Sequence, residues 1–353
     1  MALIIADGFE QYSAGAADFI KQGWGLTGSV TLTSGTDRNG LSRYIMQTGS
    51  SSAAYFTYSF AEASTVIVGM ALYRGNPTSD GDVSGLIDFY YNNERQCNIG
   101  FGMPGVPLLY NGSTFLASAD EAILYNTWTF IEIKIVFGNG TGSCIIKQNG
   151  KIIMNKDSLD NCGAASATTC NNIRFGHTDV APWTYGATIL FDDIYICNGD
   201  GSFCNDFLGD CRIHYLLPTA DTADADWTCG TGSDHYALVD DSVHNDDTGS
   251  DYLYTSTNGH KDIYDLGNLP SDIYKVRAVI AETWARLESA GDSTIKHVIV
   301  SGATESAGSG KGLTTGYLPQ RTIWESDPNE NPAAAWTPTT VNAAKIGVEA
   351  VIA

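Results

Sequence analysis

The stretch 128–155 most constrains how this chain can fold. Thr129, Ile131, Ile133 and Ile135 alternate with Phe130, Glu132, Lys134 and Val136, and a period of two sends successive side chains to opposite faces of a strand. A Gly/Asn-rich turn then leads into 144–148, Asn149-Gly150 and 151–154. Asn-Gly between two alternating runs marks a tight hairpin, because both central positions of a type I′ turn need positive φ. The register of that hairpin is therefore well determined.

Further strand-like runs at 29–33, 43–47, 54–60, 65–73 and 85–92 are separated by Gly-rich, polar turns. Even spacing of short strands without long amphipathic helices is the signature of a sandwich or barrel. One short helix is expected over 16–22, stopping at Gly23, with Trp24 a core aromatic. The 353 residues suit two domains, each able to bury its own core, and a 43% hydrophobic content excludes a disordered chain.

The seam between the domains falls in 190–212. An apolar strand with acidic residues set into it (Phe191, Asp192, Asp193, Ile194, Tyr195, Ile196) breaks at Asn198-Gly199-Asp200-Gly201, and a second strand-like run covers 211–217. This gives a first domain over 1–200, a short linker over 201–205 and a second domain over 206–353. Strands in the second are expected at 211–217, 236–239, 251–256, 261–266, 295–301, 314–324 and 346–352, with a helical turn over 341–345. The run 275–287 has the Ala content of a helix, but Val276, Ala278, Ile280, Glu282 and Trp284 fit strand alternation better.

Asp7-Gly8-Phe9-Glu10, Trp128-x-Phe130-x-Glu132, Asn149-Gly150 and Phe191-Asp192-Asp193-Ile194-Tyr195 together resemble the concanavalin A-like (LamG-type) jelly-roll domains. They are similar in particular to the versions carried by tailed bacteriophages and prophages as virion-associated proteins. Phe207-Leu208-Gly209-Asp210, Leu217-Pro218-Thr219-Ala220-Asp221, Trp227, His235 to Asp240, Asp251-Tyr252 and the segment from Trp336 to Val348 resemble the domain that accompanies such jelly rolls. The resemblance implies an all-β chain, a concanavalin A-like jelly-roll β-sandwich followed by a second, mostly β domain. It implies a structural protein at the tail or capsid surface of a virion assembled in the host cytoplasm. Such a protein would be homo-oligomeric and in contact with other virion structural proteins. The alternative reading is an adhesin that binds host cell-surface glycan, and a polysaccharide hydrolase stands behind both.

A formal charge of −21 and a pI near 4.4 argue against nucleic acid, whose recognition is built from Lys and Arg. The N-terminus lacks the basic region of a signal peptide, and no run approaches the roughly 20 apolar residues needed to span a bilayer. The expectation is a chain made in the cytosol that leaves by a route other than secretion, without membrane insertion. Eight cysteines (97, 144, 162, 170, 197, 204, 211 and 229) include no CxxC pair, so a zinc ribbon is disfavoured. Buried free thiols are expected, with Cys162 and Cys170 the best disulfide candidates.

Glucanases of the resembled family carry Glu-x-Asp-x-x-Glu on a strand; here Lys134 stands two positions after Glu132 and no Glu follows at the right spacing. Asp192 and Asp193, adjacent on a strand, point to opposite faces and read as an edge or turn feature. No Gly-x-Ser-x-Gly elbow is present, and Gly308-Ser309-Gly310-Lys311 lacks the phosphate-loop spacing. These absences lead to the expectation of a non-enzyme without a cofactor. Calcium is the exception left open: Asp221, Asp224 and Asp226, and separately Asp240, Asp241, Asp246, Asp247 and Asp251, place hard oxygen donors in Gly/Ser/Asn loops. The same residues also serve as turn-formers. Tyr90, Tyr91, Tyr110, Trp183 and Tyr185 are the candidate ligand-binding aromatics, since a flat apolar face with a polar rim stacks on a sugar ring.

Overall fold

The structure is a computed structural model that describes residues 2–12, 16–34, 43–47, 53–75, 84–102, 104–163, 167–177, 188–243 and 251–352. It divides into two nearly all-β units, Met1–Ile213 and His214–Ala353.

In chain order the first unit runs β1 (Leu3–Asp7), α1 (Ala16–Lys21), β2 (Trp24–Thr27), β3 (Val30–Ser34), β4 (Arg43–Gln47), β5 (Ala54–Ala63), β6 (Thr65–Arg74) and β7 (Ser84–Tyr91). It continues with β8 (Glu94–Gly102), β9 (Val106–Asn111), β10 (Thr114–Ser118), β11 (Trp128–Val136), β12 (Gly142–Gln148), β13 (Lys151–Leu159), β14 (Cys170–His177) and β15 (Ile189–Asn198). Helix α1 stops where expected, ahead of Gly23 at φ 92°. Asn149 and Gly150 both have positive φ, 49° and 81°, in the hairpin that joins β12 to β13.

The strands form two antiparallel sheets. An eight-stranded sheet has the order β13-β12-β11-β6-β15-β4-β3, with β1 paired to β15, and a seven-stranded sheet has the order β10-β9-β8-β7-β14-β5-β2. Their inner faces share one core, to which β6 and β11 contribute Val66, Val68, Met70, Leu72, Ile131, Ile133 and Ile135. The seven-stranded sheet answers with Phe56, Ile87, Phe89, Ile99, Leu109, Ile173 and Phe175. The sandwich expected from the strand spacing, in the jelly-roll form that the resemblance implies, is thus the observed architecture.

The outer face of the eight-stranded sheet is covered by the chain that follows β15. The Tyr195 ring lies flat against Gly69, where any Cβ would overlap it, so β6 needs a glycine at this close approach. The Tyr195 hydroxyl donates to Glu132 Oε1 (2.5 Å) and accepts from the N–H of Leu208 (3.1 Å). Glu132 Oε1 also accepts from the N–H of Gly209 (2.8 Å), and Asp193 Oδ1 from the N–H of Ile213 (2.9 Å). Lys134 pairs with Asp206 (3.0 Å), and the Lys147 ammonium lies 3.9 Å over the Phe207 ring.

These contacts correct three readings. The first unit ends at Ile213 rather than at residue 200, because 206–213 is a strap hydrogen-bonded to the sheet and not the start of a new domain. The strand expected over 211–217 is irregular chain. Asp192 and Asp193 lie at no edge: β15 is interior to its sheet, both are buried, and Asp193 takes φ 46° at a bulge between Asp192 and Tyr195.

The second unit contains β16 (Pro218–Ala225), β17 (Thr228–Cys229), β18 (Leu253–Tyr254), β19 (Lys261–Leu266), β20 (Val279–Ala285), β21 (Thr294–Ser301), β22 (Thr304–Ala307), β23 (Lys311–Gly312), β24 (Leu318–Trp324), α2 (Pro338–Ala343) and β25 (Lys345–Val351). A six-stranded sheet of order β16-β19-β25-β21-β22, with β23 on β21, is joined by two two-stranded ribbons, β17-β18 and β20-β24. The strand alternative for 275–287 holds as β20, whereas the strand expected over 236–239 is a 3₁₀ turn at Tyr236–Leu238. Asp221 explains that turn, since its carboxylate accepts from the N–H groups of His235 (2.9 Å) and Tyr236 (2.6 Å). Among the described residues, no helix is long and apolar enough to cross a membrane.

Candidate functional site

Among the described residues no such strap crosses the outer face of the seven-stranded sheet, which carries the candidate site, with Asp88 and Asn98 buried at its centre. Alternation sets its content: with Phe56, Ile87, Phe89, Cys97, Ile99, Leu109, Ile173 and Phe175 in the core, the residues between them point outward. Pairing then aligns Thr57 with Arg174, Arg174 with Asp88, Asp88 with Asn98, Asn98 with Tyr110 and Tyr110 with Phe115. One row of side chains thus crosses the sheet in five inter-strand steps of about 4.8 Å, or about 24 Å. A second row aligns Ser59, Asn172, Tyr90 and Arg95.

The rows are densely polar. The Arg174 guanidinium lies 3.8 Å over the Tyr90 ring and 5.1 Å from the centre of the Tyr55 ring. Arg95 reaches Asp88 at 3.8 Å and donates to the Gly112 carbonyl at 3.2 Å. Asn172 Nδ2 donates to Thr57 Oγ1 (2.7 Å) and Ser59 Oγ (2.9 Å), while its buried Oδ1 accepts from no described residue. Burial, and next the Asp88 charge, push the Tyr90 hydroxyl up against the lowering effect of Arg174 and Arg95. Tyr90 is therefore a neutral hydrogen-bonding ring at neutral pH rather than a base.

The face ends in a cleft of about 240 Å³ lined by Ser59, Phe60, Asn92, Asn93, Asn171 and Asn172. Its rim is the β7–β8 turn, where Asn92 and Asn93 both take positive φ, 48° and 67°. Asn171 and Asn92 clasp each other across the rim, by Asn171 Nδ2 to Asn92 Oδ1 (3.0 Å) and the N–H of Asn92 to Asn171 Oδ1 (3.1 Å). At the opposite end Phe115 leaves 53% of its surface exposed.

Of the aromatics singled out in the sequence, Tyr90 and Tyr110 lie on this face. Tyr91 alternates away from it, and Trp183 and Tyr185 lie outside the described residues. The sequence reading missed Arg174, Asn98 and Asn172 because it assigned no strand to 94–102 or 170–177, and it missed Asp88, on the strand it did expect at 85–92, because those two neighbours were absent. The Asn92-Asn93 pair between alternating runs was the available signal, since Asn tolerates the left-handed conformation that such a turn requires.

Among the described residues the other sequence candidates do not come together. Asp240, Asp241 and Asp251 stand in loops of the second unit at least partly exposed, and Asp246 and Asp247 lie outside the described residues. Among the described residues no group of three or more His, Cys, Asp or Glu side chains is arranged to hold a metal ion. Cys162 and Cys170 are not a disulfide but free, buried thiols. Both are core residues, and burial raises the pKa of each, that of Cys170 to about 12, so they stay protonated and packed.

Carboxylates do gather near the start of the chain. Asp7 accepts from the N–H of Phe9 (3.0 Å), Gln11 Nε2 (3.1 Å), Trp24 Nε1 (2.9 Å) and the Tyr12 hydroxyl. Burial, followed by the charge of Asp192, pushes Glu10 up to about 9, with Asp193 and Asp7 adding to the rise.

No family model matches the chain, and no curated protein matches it in sequence. Among solved structures it is similar to a sialidase, 14% identical over 56% of this chain and 19% of that one, with a TM-score of 0.42. It is also similar to an endo-β-1,4-glucuronan lyase from the fungus Trichoderma reesei, 10% identical over 50% of this chain and 91% of that one (TM-score 0.38). An alginate lyase in complex with an alginate tetrasaccharide is 12% identical over 55% of this chain and 96% of that one (TM-score 0.39). At these identities the likeness is one of fold. The expectation of a non-enzyme does not hold: the missing Glu-x-Asp-x-x-Glu motif on which it rested excludes one mechanism only.

Proposed function

We propose that the first unit recognises carbohydrate on the outer face of its seven-stranded sheet. The observation that carries this reading is the continuous row from Thr57 through Arg174, Asp88, Asn98 and Tyr110 to Phe115. It sets the Arg174 guanidinium and the Tyr110 and Phe115 rings at one level of the sheet, over the buried polar groups of Asp88 and Asn98. Sugars present apolar ring faces edged by hydroxyls, so aromatic platforms flanked by fixed donors and acceptors are the matching surface.

The test is an immobilised-glycan panel probed with the full chain, followed by titration of the best ligand and mass spectrometry of that ligand after incubation. Retention is expected, with Phe115→Ala and Tyr110→Ala each weakening it about tenfold, the equivalent of about 1.4 kcal/mol. Retention that both variants leave unchanged would move the site elsewhere. Shortened products in the mass spectrum would make the face a catalytic one. Carriage on a virion, homo-oligomeric assembly and contact with other virion proteins are separate proposals that rest on the sequence resemblance, and mass spectrometry of purified particles tests them.

A further inference from the structure

We infer that the sugar recognised on this face is carboxylated, of the uronic or sialic acid class, and that Arg174 is the group that reads the carboxylate. The inference rests on the proposed glycan reading and adds the chemistry of the ligand to it.

Three observations converge on Arg174. The first is its partners. Arg95 is engaged by Asp88 at 3.8 Å and by the Gly112 carbonyl at 3.2 Å, whereas Arg174 forms no ion pair among the described residues. The second is orientation. The guanidinium carbon lies 3.8 Å over the Tyr90 ring and 5.1 Å from the centre of the Tyr55 ring, so rings rather than a carboxylate hold it. Its N–H edge is left for acceptors, and a planar fork of donors held in this way matches a carboxylate bidentately. The third is local charge. On a chain of net −21, the central rows of this face hold two cations, Arg174 and Arg95, against the single carboxylate of Asp88. A locally cationic surface on an acidic protein selects an anionic ligand over a neutral one of the same shape.

Asn172 sets the orientation of that ligand. It lies two residues from Arg174 on β14 and on the same face, about 6.6 Å away along the strand. A sugar ring can bridge that distance with its carboxylate on Arg174 and its ring packed beside Asn172, which lines the adjoining cleft.

The test titrates the full chain with two matched pairs, oligogalacturonate against its methyl ester and sialyllactose against its methyl ester. Each pair differs by a carboxylate, and together they separate uronic from sialic acid. At least one charged member is expected to bind about tenfold better than its neutral partner, with a preference that shrinks as salt rises. R174Q should abolish the preference, read as the ratio of charged to neutral affinity within each pair so that any general loss of binding from the missing ring contact cancels. R174K should restore only part of it, since Lys has charge without the fork. Equal affinity within both pairs, or an undiminished preference in R174Q, overturns the inference while leaving glycan binding intact. A wholly blank glycan panel overturns the function reading as well.

Discussion

In the first unit, Phe56 and Phe175 stack with centroids 4.9 Å apart, and Phe191 from the opposite sheet meets Phe56 edge-on at 5.2 Å. Fixed geometry there comes from rings packed between two large sheets. In the second unit, one apolar cluster is built on Ile299, Trp336, Val341 and Ala344, and much of the irregular chain is held by carboxylates. Asp262, fully buried, accepts from the N–H of Trp227 (2.8 Å) and the Tyr264 hydroxyl (3.2 Å), and meets His235 Nδ1 at 2.6 Å. Asp221 fixes the 3₁₀ turn, and Asp226 accepts from the N–H of Lys261 (3.1 Å). The difference gives acidic composition a second meaning: Asp221, with both oxygens, and Asp226, with one, accept from backbone N–H groups.

The comparison can be broken by mutation. Phe175→Ala should cost about 4 kcal/mol by emptying a ring-sized site in the inter-sheet layer, read as a shift in the urea midpoint. Asp262→Ala should cost about 3 kcal/mol by stranding three polar groups, and hydrogen exchange should localise the loss to peptides of the second unit. A loss of under about 0.5 kcal/mol there would sink the idea that carboxylates hold that unit.

Acid and base should act on the units in opposite directions. Glu10 rises from 4.5 in the unfolded chain to about 9 in the fold, so its contribution is full below pH 4.5 and is lost as pH climbs through 9. His297, buried beside Lys311, falls from 6.5 to about 4, so its contribution is full above pH 6.5 and is lost as pH drops through 4. Glu10→Gln should flatten the alkaline loss in the first unit and His297→Gln the acid loss in the second, as measured by hydrogen exchange across pH. The smallest effect is expected at the surface: Lys151→Ala removes an exposed ion pair with Glu121 and should change the urea midpoint by less than about 0.5 kcal/mol.

The sequence made the sandwich legible where pairing is local. Asn149-Gly150 identified its hairpin because the turn chemistry and both alternating runs sit side by side. Alternation could also say that Arg174 and Asp88 each point away from a core, but not that they are neighbours, since strands far apart in the chain bring them together. The strap escaped for a different reason. Gly201, Asn205 and Gly209 look like linker by composition, and only Tyr195 and Glu132, from other strands, reveal what 206–213 is tied to.

That strap also fixes where this protein is modular. A recombination event at the Gly/Asp-rich stretch near residue 200 would carry away the backbone groups that Tyr195, Glu132 and Asp193 hold, leaving a donor module with a bared sheet. A junction after Ile213 moves the sandwich whole. Exchange of the second unit between related chains should therefore leave its scars at 213–214, inside sequence that gives no outward sign of being a border.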